Sequence, residues 1–193
     1  MFWPGARYRF KSVGEKQTMI DLKALADLSY GLFIVSSCKD GKFNGLIANS
    51  VFQVTAEPAQ LAIALNKESL THDYIKTSGK FCVQPLKETT QMPFIGIFGF
   101  RKGKEFDKFS KVSYKVNESG LPVVKENTLA ALCVEVKQSI DLGTHTMFIG
   151  PITSAEVLCG DCKPLTYDYY QNTLKGKTPK GATTFKDYQG GIK

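Results

Sequence analysis

Runs rich in β-branched and aromatic residues recur through this chain, at 32–38, 45–55, 60–65, 80–85, 111–116, 129–139 and 146–158, and Gly, Pro, Asn and Asp interrupt them. The run at 129–139 ends in alternation, with Val134 and Val136 on one face and Glu135 and Lys137 on the other, the pattern of a half-buried antiparallel strand. One short helix is predicted over 21–28, where Asp21 offers a cap and Leu22, Leu25 and Leu28 fall at helical spacing. A second helix-like segment lies at 72–76. Many strands, few helices and no alternating β–α rhythm predict a mainly β protein, a β-barrel with short helices.

The 193 residues are 42% hydrophobic and 22% charged, values of an ordinary globular chain long enough for one domain. A net charge of +7 suggests nucleic acid until it is divided along the chain. Arg7, Arg9, Lys11 and Lys16 lie before position 19, and Lys175, Lys177, Lys180, Lys186 and Lys193 lie after 171, while acids and bases balance in between. The basicity therefore belongs to the tails, and neither nucleic acid nor a membrane is expected as a partner. No stretch approaches the roughly 20 apolar residues of a membrane span, and the start has no continuous apolar core of a secretory signal. A cytoplasmic location is the expectation.

Five cysteines in a chain of this size do not suggest a disulfide framework, and reduced thiols are expected. Cys159-Gly-Asp-Cys162 supplies half of a metal site or a redox pair, but no second pair follows, so a structural or incidental role is the leading reading and no metal is assigned. The chain has no G-x-G-x-x-G, no P-loop, no H-E-x-x-H and no nucleophile elbow. The glycines of 96–103 fall at other spacings and read as a loop.

Chemistry concentrates at 44–71. Asn44, Gly45, Ala48, Asn49 and Ser50 combine small side chains with amide and hydroxyl partners, which suits close approach of a flat polar ring. Asn66, Lys67, Ser69 and Thr71 then bring a cation, an amide and two hydroxyls, the groups an anion seeks. The plainer alternative is a strand ending in a turn at Asn44-Gly45, then a polar loop capping a helix. His72 is read as a helix-surface residue, Phe98 and Phe100 as core, and Arg101, Lys102 and Lys104 as a basic loop.

The ordered set L-S-Y-G-L-F-I-V-S-S from Leu28, N-G-L-I-A-N-S-V-F-Q-V-T from Asn44, N-K-E-S-L-T from Asn66, G-K-F-C-V from Gly79, F-G-F-R from Phe98, D-K-F from Asp107 and H-T-M-F-I-G from His145 resembles the flavin reductase-like, FMN-binding split-barrel family. Within it the chain is most similar to the flavin domain of high-molecular-weight rubredoxins and to flavoredoxin-type proteins. The resemblance divides the chain into an N-terminal extension at 1–18, expected to be poorly ordered, a flavin reductase-like domain at 19–171 and a basic tail at 172–193. It implies a six-stranded antiparallel Greek-key split barrel that dimerises around its flavin.

It also implies bound FMN, with NAD(P)H as reductant and electrons passed to free flavin or to a protein such as rubredoxin. The alternative is a flavoredoxin-like electron-transfer module reduced by a protein donor. The residues implied to hold the cofactor are Asn44, Ala48, Asn49, Ser50, Phe52, Asn66, Lys67, Ser69, Thr71 and Arg101, with the phosphate near Lys67, Ser69 and Thr71. His145 is implied to orient the reductant or the reduced ring. The segment 164–185 resembles the tail that joins a flavin domain to a rubredoxin, and no C-x-x-C pair follows it here, so a separate carrier is the expected acceptor.

Overall fold

The computed structural model describes residues 7–8 and 20–184. The expectation of poor order for 1–18 therefore lies almost wholly outside the described residues. A short ladder joins β1 (Arg7–Tyr8) to β2 (Ile20–Asp21), and a 3-10 turn at Leu22–Asp27 stands where a helix is predicted over 21–28.

The body is one antiparallel sheet of β3 (Phe33–Lys39), β4 (Lys42–Ala48), β5 (Val51–Ala56), β6 (Ala59–Asn66), β7 (Lys80–Pro85), β10 (Ala130–Glu135), β11 (Gln138–Asp141) and β12 (His145–Val157). Its order is β4-β3-β7-β10-β12-β6-β5, with β11 paired to β12. β8 (Tyr114–Val116) and β9 (Pro122–Val124) form a separate two-stranded ladder. The predicted run at 45–55 is two strands, β4 and β5. Asn44-Gly45 lies within β4 rather than at a turn; the hairpin turn is Asp40-Gly41, where both residues have positive φ (50° and 73°).

β12 is long enough to serve two partners on one side. Thr146 to Ile149 pairs with β11, Ile152 to Val157 pairs with β10, and the half from His145 to Pro151 also pairs with β6. His145 thereby comes directly opposite Asn66.

β3 and β7 are buried on both faces over most of their length, with Ser36, Ser37 and Gln84 buried among their apolar residues. Val35, Phe81 and Val83 meet Ile63, Leu65, Ile75, Val134 and Phe148 in one core. Ile34, on the other face of β3, meets Leu86, Ile95, Phe98, Phe109 and Leu165 in a second. The buried amide of Gln84 is paired at both ends: it donates from Nε2 to the Val124 carbonyl at 2.8 Å and accepts from the Val124 N–H at 2.9 Å.

Among the described residues, three α-helices attach to this sheet. α1 (Leu70–Ser78) begins at Ser69, whose hydroxyl accepts the His72 N–H, and ends at Gly79 in the left-handed region. α2 (Met92–Gly99) occupies part of the segment read as a loop, burying Ile95 and Phe98. α3 (Tyr167–Asn172) is capped by Thr166 and buries Tyr170. Cys159 and Cys162 are joined as a disulfide, in contrast to the expected reduced thiols, while Cys38, Cys82 and Cys133 are free.

Candidate functional site

A cavity of about 450 Å³ opens where β4 and β6 meet the start of α1, the end of α2, the 100–108 loop and the chain after α3. That volume falls within the usual span for a small-molecule site, roughly 300–1,000 Å³. Ala48 and Ala64 keep its sheet wall low, and Leu46, Ile47, Leu65 and Phe98 make much of it apolar.

Polar groups enter from three sides. The first is the sheet and α1. Thr71, in the first turn of α1, donates its hydroxyl to Asn44 Oδ1 at 2.9 Å, and both side chains are buried. Asn66 Oδ1 accepts the Glu68 N–H at 2.8 Å, and the Asn66 carbonyl accepts the Ser69 N–H, which fixes the turn into α1. Because Ser69 and Thr71 line the cavity, the N-terminal end of α1 is presented to it.

The second side is the 100–108 loop. Gly103 lies so close to Asn44 that a Cβ there would be 2.2 Å from Nδ2, so only glycine admits this approach. Arg101 lies over the Phe106 ring at 5.4 Å and also lines the cavity, as do Lys102 and Lys104. Lys108 turns inward, with Nζ donating to the Gly45 carbonyl at 2.7 Å and the Phe98 carbonyl at 3.0 Å. Burial alone lowers its pKa to about 8.

The third side is the chain after α3. Tyr170 donates its hydroxyl to the Lys177 carbonyl at 2.8 Å, and the Tyr167 hydroxyl bonds to Thr178 and accepts from Thr184 at 2.9 Å. Asn49 Nδ2 donates to Thr184 Oγ1 at 2.6 Å, so residues 177–184 are drawn back across the cavity.

His145 heads β12 and lines the cavity. Its Nδ1 lies 2.8 Å from Thr144 Oγ1, and its buried Nε2 has no hydrogen-bond partner among the described residues. Burial lowers its pKa below the ordinary value, with the Gly181 main chain acting weakly in the opposite sense. His72, expected on the helix surface, is instead buried: Nε2 lies 2.9 Å from Thr146 Oγ1 and its ring packs on Phe148 at 5.3 Å. The face of α1 that carries it is the one turned to the sheet.

Of the residues singled out in the sequence, Asn44, Ala48, Asn49, Asn66, Ser69, Thr71, Arg101 and His145 come together around this cavity. Ser50, Phe52 and Lys67 do not line it. Ser50 donates to Asn49 Oδ1 at 3.3 Å, Phe52 is half exposed on β5, and Lys67 Nζ pairs with Asp141 at 2.6 Å. Phe98 is buried as expected, whereas Phe100 is about half exposed and lines the cavity. Sequence reasoning missed Lys108, Tyr167, Tyr170 and the 177–184 segment. The aromatic cluster Tyr167-Asp-Tyr-Tyr170 next to a Thr- and Gly-rich tail is the signal that points to the last of these.

The flavin reductase-like domain family matches residues 25–174. The chain is 47% identical to a ferric-chelate reductase (NAD(P)H) of Archaeoglobus fulgidus over 86% of its own length and 98% of the relative's. It is 44% identical to a high molecular weight rubredoxin of Moorella thermoacetica over 86% of this chain and 72% of that one. Among solved structures, an NADH:FAD oxidoreductase of Streptomyces globisporus superposes with a TM-score of 0.67 at 22% identity, covering 74% of this chain and 83% of that one, a likeness of fold. With the family match spanning the whole eight-stranded sheet and every wall of the cavity except the chain after 174, this protein belongs to the flavin reductase-like domain family.

Proposed function

We propose that this protein holds FMN in the cavity and works as an NAD(P)H-dependent oxidoreductase, passing electrons to free flavin or to a protein acceptor such as rubredoxin. The observation that carries the reading is the cavity itself: apolar walls for a flat ring, amides at Asn44, Asn49 and Asn66, and the start of α1 for an anion, all opening onto one space. The buried, unpartnered His145 Nε2 is a polar atom that a ligand in this space would satisfy.

The residues fit the group. Ser69, Thr71 and the first N–H groups of α1 would take the phosphate, since a helix N-terminus carries partial positive charge and free donors. Asn44 and Asn49 would meet the polar edge of the ring, while Ala48 and Ala64 leave room for its face. When bound, FMN supplies hydride and electron transfer; the protein supplies alignment, and a side chain that transfers protons is not required. His145, held largely neutral at pH 7 by its lowered pKa, would position a reactant by hydrogen bonding. Lys67 does not line the cavity and its charge is offset by Asp141 at 2.6 Å, so the phosphate reading rests on Ser69, Thr71 and the start of α1.

The finer architecture belongs to the same proposal: a Greek-key split barrel whose six core strands lie within the eight-stranded sheet, paired as a homodimer, in the cytoplasm. No described helix is long and apolar enough to cross a membrane. Two relatives are named a ferric-chelate reductase (NAD(P)H) and an FMN reductase (NADH), which supports the choice of reductant. The test is anaerobic mixing of the FMN-loaded protein with NADH or NADPH. Bleaching of the flavin band within turnover times supports the reductase; a band that only a reduced protein donor bleaches assigns the electron-transfer module instead.

A further inference from the structure

Lys108 is 4% exposed and lines the cavity, yet no carboxylate lies within ion-pairing distance of it among the described residues. An ammonium has three donors. Two go to neutral carbonyls, Gly45 on β4 and Phe98 in the last turn of α2, and these hold Nζ in one place. Burying a cation without an acid is costly, and a neutral donor would tie β4 to α2 more cheaply. The carbonyl end of α2 offsets some of that cost through its partial negative charge. A positive charge nevertheless remains beside a cavity whose lining is largely amides, hydroxyls and apolar groups, and whose other acidic and basic residues are Glu68, Arg101, Lys102, Lys104, His145 and Lys177.

We propose that Lys108 is a positioning residue that supplies the site's counter-charge, stabilising the negative charge that a bound flavin ring gains on reduction. The inference rests on the flavin reading above. Hydride transfer moves two electrons and one proton from the dihydronicotinamide to the ring; the nicotinamide leaves as its oxidised cation, and the ring gains one net negative charge. Lys108 keeps its proton throughout and forms no bond to the ring. Its fixed charge makes the reduced ligand more favourable than the oxidised one, which is how a protein tunes a flavin without reacting with it.

The experiment compares FMN-loaded wild type, Lys108→Met and Lys108→Arg by dye-equilibrated redox titration, together with affinities for oxidised and reduced FMN. The proposal predicts that K108M weakens binding of reduced FMN about tenfold or more relative to oxidised FMN, with a matching fall in midpoint potential, and that K108R restores most of the difference. A K108M protein that loads FMN at the wild-type potential overturns the proposal and leaves the flavin reading intact. A wild type that takes up no FMN overturns both. Should K108M fail to fold, the pH dependence of the wild-type potential between pH 6 and 7 decides: uptake of one proton per two electrons supports a charged reduced ring, and uptake of two contradicts it.

Discussion

Asn49, at the end of β4, donates its side-chain amide to the hydroxyl of Thr184 at 2.6 Å, a contact spanning 135 positions of sequence. Thr184 in turn donates to the Tyr167 hydroxyl, so one short chain of hydrogen bonds ties the cavity wall, α3 and the C-terminal segment together. The segment is thereby a wall of the site.

Replacing Thr184 with Val keeps the shape and removes the hydroxyl, leaving the Asn49 amide without its acceptor. An unsatisfied buried donor costs about 1–3 kcal/mol. Because that cost falls on a local contact, opening of 177–184 should rise while global stability moves little. Tryptic cleavage at exposed Lys177 and Lys180 should accelerate about tenfold. Unchanged cleavage kinetics would show that the bond does not hold the segment down.

Gly103 is predicted to tolerate no side chain. A Cβ there meets Asn44 Nδ2 at 2.2 Å, so Gly103→Ala must displace Asn44 and break its bond to Thr71. Overpacking of this kind costs about 1–3 kcal/mol. Denaturant unfolding should record that loss, and FMN affinity should fall with it. An alanine variant with wild-type stability and affinity would mean that the 100–108 loop does not hold Asn44 in place.

His145→Ala should lower kcat/KM for NAD(P)H on the order of 10- to 100-fold, the scale of a misplaced reactant, with a smaller effect on FMN uptake. Wild-type FMN affinity and wild-type turnover together would remove His145 from the site. Its titration gives a second check. The folded pKa is depressed by burial, so between that value and about 6.5 the unfolded chain binds the extra proton. This contribution to stability is therefore present above about pH 6.5 and is lost as pH falls toward the folded value. An NMR titration of the imidazole should show a midpoint below about 6.5; one at or above it contradicts the geometry.

Lys175, Lys177 and Lys180 are exposed in the C-terminal segment. An acidic carrier protein docking there would be steered by charge, and screening falls to a Debye length of about 8 Å at physiological salt. Electron transfer to such a carrier should slow as salt rises while reduction of free flavin changes little. Equal insensitivity of both reactions would place docking elsewhere.

The strands were legible because their sequences carry the burial pattern directly: the run predicted at 80–85 coincides with β7, and Glu135 is exposed beside buried Val134. α2 was not, because Met92-Pro-Phe-Ile-Gly-Ile-Phe-Gly99 carries two glycines, a poor helix composition. Packing of Ile95 and Phe98 onto the second core offsets that propensity, and Pro in the first turn was the one local sign. Lys108 escaped notice for a different reason. A lysine in a polar loop ordinarily reads as solvated, and only the tertiary approach of Gly45 and Phe98 turns it inward. The same holds for 177–184, where Lys, Gly, Thr and Pro suggest a free tail and the hydrogen bonds to Asn49 and Tyr167 are nonlocal. Lys67, Ser50 and Phe52 show the converse: sequence adjacency to the cavity strands did not bring their side chains into it.

The most direct measurement is a calorimetric titration of flavin-free protein with FMN, read alongside the visible spectrum. The account predicts uptake of one FMN per chain with a shifted flavin absorption band. A protein that remains colourless and shows no heat of binding would contradict it.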